Sequence, residues 1–410
     1  VSAEALVQGP ALWGGKGYGL MQMCADNLPV PPGFTLSTEL CAVYQKNPQV
    51  TMDAIAKSLP EWLASLEKHF GYMPLLSVRS GARVSMPGMM DTVLNVGISE
   101  TVNGQEWRVR IGASPAENCH LRLIEMFTKV VGKDCPSDPT AQLLACIAAV
   151  FDSWNSPRAV EYRKLNNIPN EWGTAVTVQA MVFGNMGENS GTGVAFTRDP
   201  STGAPGIVGE FLQNAQGEDV VAGLKKPGPL TDIRKLVSIP VYNQLITLLK
   251  KLDAKYRDMQ DVEFTIQEGK LWLLQTRSGQ RSAAAAFRIV TDLLEDNVLS
   301  LEEARHRVTF GQFLTAQRPA LNEAATQKVL GKPVLSGIAG SVGVAVGRAV
   351  FCGLHQKKFD GEPQILIRHE TTPDDIALMA KSVGILTATG GFTSHAAVVA
   401  RGMNIPCVTG

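Results

Sequence analysis

From Asp261 to Arg277 the sequence alternates, and the alternation restricts this stretch to one kind of element. Val262, Phe264 and Ile266 form one side of a strand and Asp261, Glu263 and Thr265 the other, because successive side chains of a strand point to opposite faces. Gln267-Glu-Gly-Lys270 marks a turn, and Leu271-Trp-Leu-Leu-Gln-Thr-Arg277 reads as a return strand with Leu273, Gln275 and Arg277 on one face. If the loop holds an odd number of residues, Asp261, Glu263, Gln275 and Arg277 converge on one side of the sheet. Two carboxylates beside an amide make a hard oxygen site suited to Mg²⁺, which takes one or two carboxylates plus substrate phosphates. Alternation alone also describes a solvated sheet face.

The chain of 410 residues is too long for one ordinary core, so two or three domains are expected. Its 38 basic and 38 acidic residues cancel. There is no global attraction to nucleic acid or to anionic lipid, and a phosphate ligand has to be held by a local cluster. The cysteines are scattered without a Cys-x-x-Cys pair, which argues against a disulfide framework or zinc site and for a reducing compartment. No apolar run approaches the ~20 residues that span a bilayer. A cytoplasmic protein, with neither nucleic acid nor membrane as partner, is the expectation. Val1 is not a methionine, so a start further upstream is expected as well.

Texture divides the chain into 1–280, 281–330 and 331–410. The first part mixes strand-like and helical runs. Ala175–Phe183 is a β-branched run fit for a buried strand, and strand character resumes at Val194–Arg198 after a loop with Gly184, Gly187, Gly191 and Gly193. The second part is helical: Ala283–Ala286 opens one helix, and Ser300-Leu-Glu-Glu303 is a capping box opening another. In the third, glycines punctuate short apolar runs, Ile365–Arg368 and Val383–Ala388 are strands, and Thr372-Pro-Asp-Asp375 begins a helix. This is a small α/β domain that stops at Gly410, after the strand-like Cys407-Val-Thr409, without an evident closing element.

Several further clusters suit phosphate. Ser77-Val-Arg79-Ser-Gly-Ala-Arg83 offers fork-shaped donors, and Gly88 in the Met-Pro-Gly-Met-Met90-Asp91 turn permits close backbone approach. Surface arginines in a turn would read the same way. Gly14-Gly-Lys16-Gly-Tyr-Gly19 is not a Walker A loop, yet its lysine can reach a phosphate as a point charge. The glycine loop before Thr192 either covers phosphates with backbone N–H groups or is a long hairpin loop, and Glu218 is similarly ambiguous.

His395 follows Gly390-Gly-Phe-Thr-Ser394 and precedes an apolar helical run. Thr393 or Ser394 is placed to cap that helix, which puts the imidazole in a first turn whose N–H groups and dipole favour an anion. Imidazole is a competent nucleophile near neutral pH.

Gly14–Gly17, Leu28–Thr35, Ser77–Val93, Ser190–Arg198, Asn214–Val221, Tyr256–Arg281 and Gly390–Gly402 together resemble the pyruvate, phosphate dikinases of the phosphoenolpyruvate-utilising enzyme family, in blocks that cover most of the chain. The resemblance implies an α/β (α+β) chain: an ATP-grasp nucleotide-binding domain over 1–280, a helical connector, and a swivelling phosphohistidine domain over 331–410. By matching motifs, Lys16, Arg79, Gly88, Met90 and Thr192 would bind ATP phosphates with Glu218 nearby. Asp261, Glu263, Gln275 and Arg277 would complete a Mg²⁺–nucleotide site, with Asp261, Glu263 and Gln275 as metal ligands. His395 would be the phosphoryl carrier, and Thr393 matches a position at which some relatives are switched off by phosphorylation.

In such enzymes the carrier histidine takes a pyrophosphoryl group from ATP and AMP is released. Orthophosphate removes the terminal phosphoryl as pyrophosphate, and the phosphohistidine swings to a barrel domain to phosphorylate pyruvate. The resemblance implies ATP and orthophosphate as partners and allows a homodimer. Two departures stand out: the stretch between Asp91 and Trp172 is shorter than usual, and no pyruvate-binding barrel is present, so pyruvate or phosphoenolpyruvate would be reached through a domain or subunit outside this sequence. Alternatives are a phosphoenolpyruvate synthase-like or antibiotic phosphotransferase using water as acceptor, or a catalytically silent nucleotide-binding module. A silent module would show decay at Lys16, Arg79, Glu263 or His395, and all four are present.

Overall fold

The computed structural model describes residues 2–86, 88–217, 227–317, 335–359 and 361–410. Helices and strands mix throughout, an α/β chain that divides into two compact units. One comprises Val1–Ser190 and Thr265–Arg277, the other Gly191–Phe264 and Ser278–Gly410. The chain therefore passes between them after Ser190, Phe264 and Arg277.

The first unit is built on an antiparallel sheet of β1 (Gly33–Leu36), β2 (Leu76–Gly81), β3 (Thr92–Val96) and β4 (Ala175–Ala180), in the order β1-β4-β2-β3. Helix α1 (Gly9–Ala25) lies against β2 and β4. Helix α2 (Ala113–Val131) buries Ala116, Cys119, Leu123 and Phe127, a spacing of three and four that places them on one face. Helix α3 (Pro139–Ser153) starts where Asp138 accepts the Ala141 N–H with proline at the first position, and it buries Leu143, Cys146, Ile147 and Val150. These side chains share one core with Val78, Val93, Val96, Val176 and Val178 of the sheet. Each fully buried leucine or phenylalanine contributes about 1.5–3 kcal/mol, so this core is what holds β2 in place.

A second sheet runs β7-β6-β5-β8-β9, from β5 (Gly191–Arg198), β6 (Pro205–Gln213), β7 (Gly228–Pro229), β8 (Gln260–Gln267) and β9 (Lys270–Ser278). The glycine loop before Thr192 is not a hairpin loop, because β4 and β5 belong to different sheets. Val262, Phe264 and Ile266 of β8 are fully buried, and Asp261 and Thr265 on the other face are buried as well, so the strand has no solvated face along these residues. The turn between β8 and β9 holds Glu268 and Gly269 at φ 49° and 79°, the two-residue kind that suits the strand twist. Two is an even number, so the loop does not meet the condition set for convergence. At the base of the hairpin the Gly279 N–H donates to the Met259 carbonyl at 3.1 Å.

Helix α4 (Ala283–Glu295) opens after Ser282, whose hydroxyl accepts the Ala285 N–H. Its Ile289 and Leu293 pack with Phe196 of β5, Met259 and Leu299. The capping box Ser300/Glu303 opens the short helix Leu301–Arg305 as read from sequence. The end of the connector and Lys332–Val334 lie outside the described residues.

The last sheet, β10 (Ile338–Ser341), β11 (Arg348–Val350), β12 (Gln364–Arg368), β13 (Gly384–Thr387) and β14 (Cys407–Thr409), runs β10-β14-β13-β12-β11. β11 to β14 pair parallel and β10 antiparallel. Helix α5 (His395–Met403) crosses from β13 to β14, with Ala396, Ala397, Val399 and Ala400 buried.

Candidate functional site

In the first unit, α1 is broken at Gly14, whose φ of 65° and ψ of 163° are not helical. A side chain there would lie 1.8 Å from the Gly81 carbonyl oxygen, and the Gly15 N–H donates to the Ala82 carbonyl at 2.7 Å. The glycines thus let the second half of α1 start against the end of β2, with Lys16 in the first turn after the break. A Cβ on Gly81 would sit 3.3 Å from that of Lys16. Arg79 of β2 donates from Nη1 to the Leu274 carbonyl and from Nη2 to Oε1 of Gln275, both at 3.4 Å. Within this unit Lys16, Arg79 and Gln275 cluster about the end of β2. Arg277 is half-buried two residues along β9. Gly88 is exposed at φ 73°, a left-handed turn that favours glycine, and Met90 is half-buried beside it.

In the second unit Thr192 is buried and donates its hydroxyl to the Phe264 carbonyl at 3.1 Å. Asp261 is buried and Glu263 half-buried on the face of β8 opposite Val262 and Phe264. Glu218 lies outside the described residues. Among the described residues no group of three or more histidine, cysteine, aspartate or glutamate side chains forms a ready metal cage. Two carboxylates alternating on one strand face fit a cation that completes its shell with substrate phosphates and water, as Mg²⁺ does.

His395 is the first residue of α5, as expected from its sequence setting. The capping expectation needs correction. Ser394 occupies the N-cap position without a side-chain cap bond, and its hydroxyl has no partner among the described residues. The Thr393 hydroxyl is turned elsewhere: it donates to Oε2 of Glu210 on β6. The same carboxylate accepts the Phe392 N–H at 2.9 Å and the Thr393 N–H at 3.2 Å.

The imidazole is held by Thr371, whose Oγ1 lies 3.0 Å from Nδ1. Nε2 is buried with no hydrogen-bond partner among the described residues. Burial pushes the His395 pKa down to about 4, against the pull of the Asp375 carboxylate. Asp375 is fixed in turn by Arg368 at 2.9 Å and by the Thr372 N–H at 2.9 Å. At neutral pH the ring is therefore uncharged. Thr371 thus engages Nδ1, and Nε2 is the ring nitrogen without a partner among the described residues. Thr371 and His395 follow the carboxyl ends of the adjacent parallel strands β12 and β13, where open α/β sheets bind ligands.

Sequence reasoning missed Thr371, Asp375 and Glu210 as site residues. Thr371-Thr-Pro-Asp-Asp375 at the end of a parallel strand was a usable signal for the first two. A single carboxylate within Gly209-Glu210-Phe211 gave none. Arg401 was also missed. It is fully buried in α5, donates to the Gly340 and Phe392 carbonyls at 2.7 and 2.9 Å, and lies over the Phe392 ring. Burial pushes its pKa down to about 10, opposed first by the Asp261 carboxylate.

Comparison with known proteins adds two family matches. Residues 48–238 and 240–297 match "Pyruvate phosphate dikinase, AMP/ATP-binding domain", and 359–410 match "PEP-utilising enzyme, mobile domain". The chain is 42% identical to pyruvate, phosphate dikinase of Clostridium symbiosum, over 97% of this chain and 52% of that protein. Identity is 41% to the Rhizobium meliloti protein of the same name, over 97% and 51%, and 40% to pyruvate, phosphate dikinase 1, chloroplastic, of Oryza sativa, over 97% and 48%. The chain spans about half the length of these curated relatives. The first alignment runs over 463 positions against 410 residues, so the relative carries residues within the matched region that this chain lacks. Among the described residues no helix is long and apolar enough to cross a membrane.

Proposed function

Because the chain belongs to the pyruvate, phosphate dikinase family, we propose that it performs the ATP half-reactions of such an enzyme, with His395 as phosphoryl carrier. The observation that carries this reading is the state of His395: uncharged, with Nδ1 on Thr371 and Nε2 without a partner. In this reading residues 1–280 bind the nucleotide, 281–330 connect, and 331–410 move as the carrier domain. Lys16, Arg79, Gly88, Met90 and Thr192 bind ATP phosphates, with Glu218 nearby. Gln275, bonded to Arg79, and Arg277 complete the Mg–nucleotide site.

The metal expected here is Mg²⁺, held by Asp261 and Glu263 with the Gln275 amide. It would offset phosphate charge that Lys16 and Arg79 only partly balance.

Nε2 of His395 attacks the β-phosphorus of ATP. The Nε2–P bond forms as the bond from the β-phosphorus to the α,β-bridging oxygen breaks, and AMP leaves with that oxygen. Thr371 accepts the Nδ1–H and steadies the positive charge that grows on the ring. Orthophosphate then attacks the terminal phosphorus, pyrophosphate leaves, and one phosphoryl group stays on Nε2. Passage of that group to pyruvate uses an acceptor site on a further domain or subunit. Homodimeric assembly, action in the cytoplasm and inactivation by modification of Thr393 complete the family-based proposal.

The experiment is labelling with ATP carrying radioactive β-phosphate. The protein should take up acid-labile, base-stable label, AMP should appear and ADP should not, and His395→Ala should remain unlabelled while still binding Mg–ATP. Label retained in His395→Ala, or ADP as the nucleotide product, overturns the proposal.

A further inference from the structure

We propose that Glu210 is a latch that seats the unmodified carrier segment Gly391–Thr393 on β6, a positioning role that rests on His395 being the carrier. One carboxylate takes three donors of that segment: the Phe392 N–H at 2.9 Å, the Thr393 N–H at 3.2 Å and the Thr393 hydroxyl. Hydrogen bonds to an ionised carboxylate are shorter and stronger than neutral ones, and three on one group fix its partner in position as well as orientation. The fit depends on the residue before Phe392 having no side chain, since a Cβ on Gly391 would lie 2.4 Å from Oε1 of Glu210.

An apolar grip accompanies the polar one. The Phe392 ring meets Phe196 of β5 edge-on, with centroids 5.8 Å apart, and joins the core formed by Phe196, Met259, Ile289 and Leu293. The Arg401 guanidinium lies over the ring, 4.7 Å from its centroid, and ties the Phe392 carbonyl back to α5. Glu210 itself faces Val194 and Pro229 across the sheet and borders a cleft of about 330 Å³ lined also by Asp199 and Phe392. Both grips therefore act on the two residues that end one position before the Ser394 N-cap. They set where His395 stands relative to β5 and β6 without touching its ring.

The test uses the whole chain without nucleotide. Hydrogen exchange should show the Phe392 and Thr393 amides protected, and Glu210→Ala should speed their exchange roughly tenfold or more, the scale of losing charge-assisted bonds. Gly391→Ala attacks the same contact from the other side and should do likewise, and the double variant should exchange no faster than the faster single one. In the labelling assay Glu210→Gln should slow uptake at least tenfold while Mg–ATP affinity stays within about twofold, a split that general loss of structure would not give. Unchanged exchange in both single variants, or effects that multiply in the double variant, overturns the latch. A wild-type chain that takes no label overturns the carrier reading alone, and the exchange data then still decide the latch.

Discussion

Oγ1 of Thr371 stands 3.0 Å from Nδ1 of His395, joining the loops that leave the adjacent parallel strands β12 and β13. The bond engages Nδ1, and Nε2 is without a partner among the described residues. It also explains how a half-buried, uncharged imidazole is kept in one orientation at the start of a helix.

Thr371→Val removes the acceptor with almost no change of shape. Uptake of label on His395 should slow by about 10–100-fold, the range of a lost orienting or proton-holding contact, and Thr371→Ser should keep most of the rate. Rapid-quench measurement decides. A valine variant as fast as wild type would show that the ring is oriented by other means.

The His395 pKa predicts how the protein responds to acid. Its folded value of about 4 lies below the ordinary 6.5, so between those values the unfolded chain binds a proton that the folded chain refuses. The stability it contributes is complete above pH 6.5 and is lost as pH falls toward 4, at about 1 kcal/mol per pH unit. Urea midpoints should drop across that window, and His395→Gln should flatten part of the slope. Labelling should vary little with His395 protonation between pH 6 and 8. An inflection near 6.5 would mean that the ring titrates as it does in water.

Glu263→Gln keeps the volume of a half-buried side chain on β8 and removes one charge from the carboxylate pair. Mg²⁺-dependent ATP binding should weaken about tenfold or more, since hard divalent cations bind chiefly through carboxylate charge. Calorimetric titration giving the wild-type affinity would remove Glu263 from the ligand set.

Gly14→Ala should destabilise the first unit by about 2–4 kcal/mol, because it forces a Cβ both into a positive-φ residue and into the Gly81 carbonyl. Gly71→Ala, at a positive-φ helix end where nothing lies within 4 Å, should cost about 1 kcal/mol. Urea unfolding of both variants separates the effect of the crowded contact from that of φ alone.

Much of this was legible in the sequence because it is local. Alternation marked β8 as a strand, the β-branched run marked β4, and the capping box at Ser300 set a helix start. The glycines and hydroxyls before His395 marked the start of α5 correctly. The use of those hydroxyls was misjudged. Thr393 lies one position before the N-cap, and its hydroxyl donates to Glu210, 183 residues away in sequence.

The sequence by itself determined strands and helix starts, since each depends on residues a few positions apart. Tertiary structure decided which groups meet. Propensity could not bring Thr371 to the imidazole, and composition could not bury Arg401 under Phe392 beside the Asp261 charge. The physical reason is the same in each case. These contacts depend on where whole sheets place their loop ends, and the desolvation that lowers the His395 pKa to about 4 exists only once the fold has closed around the ring.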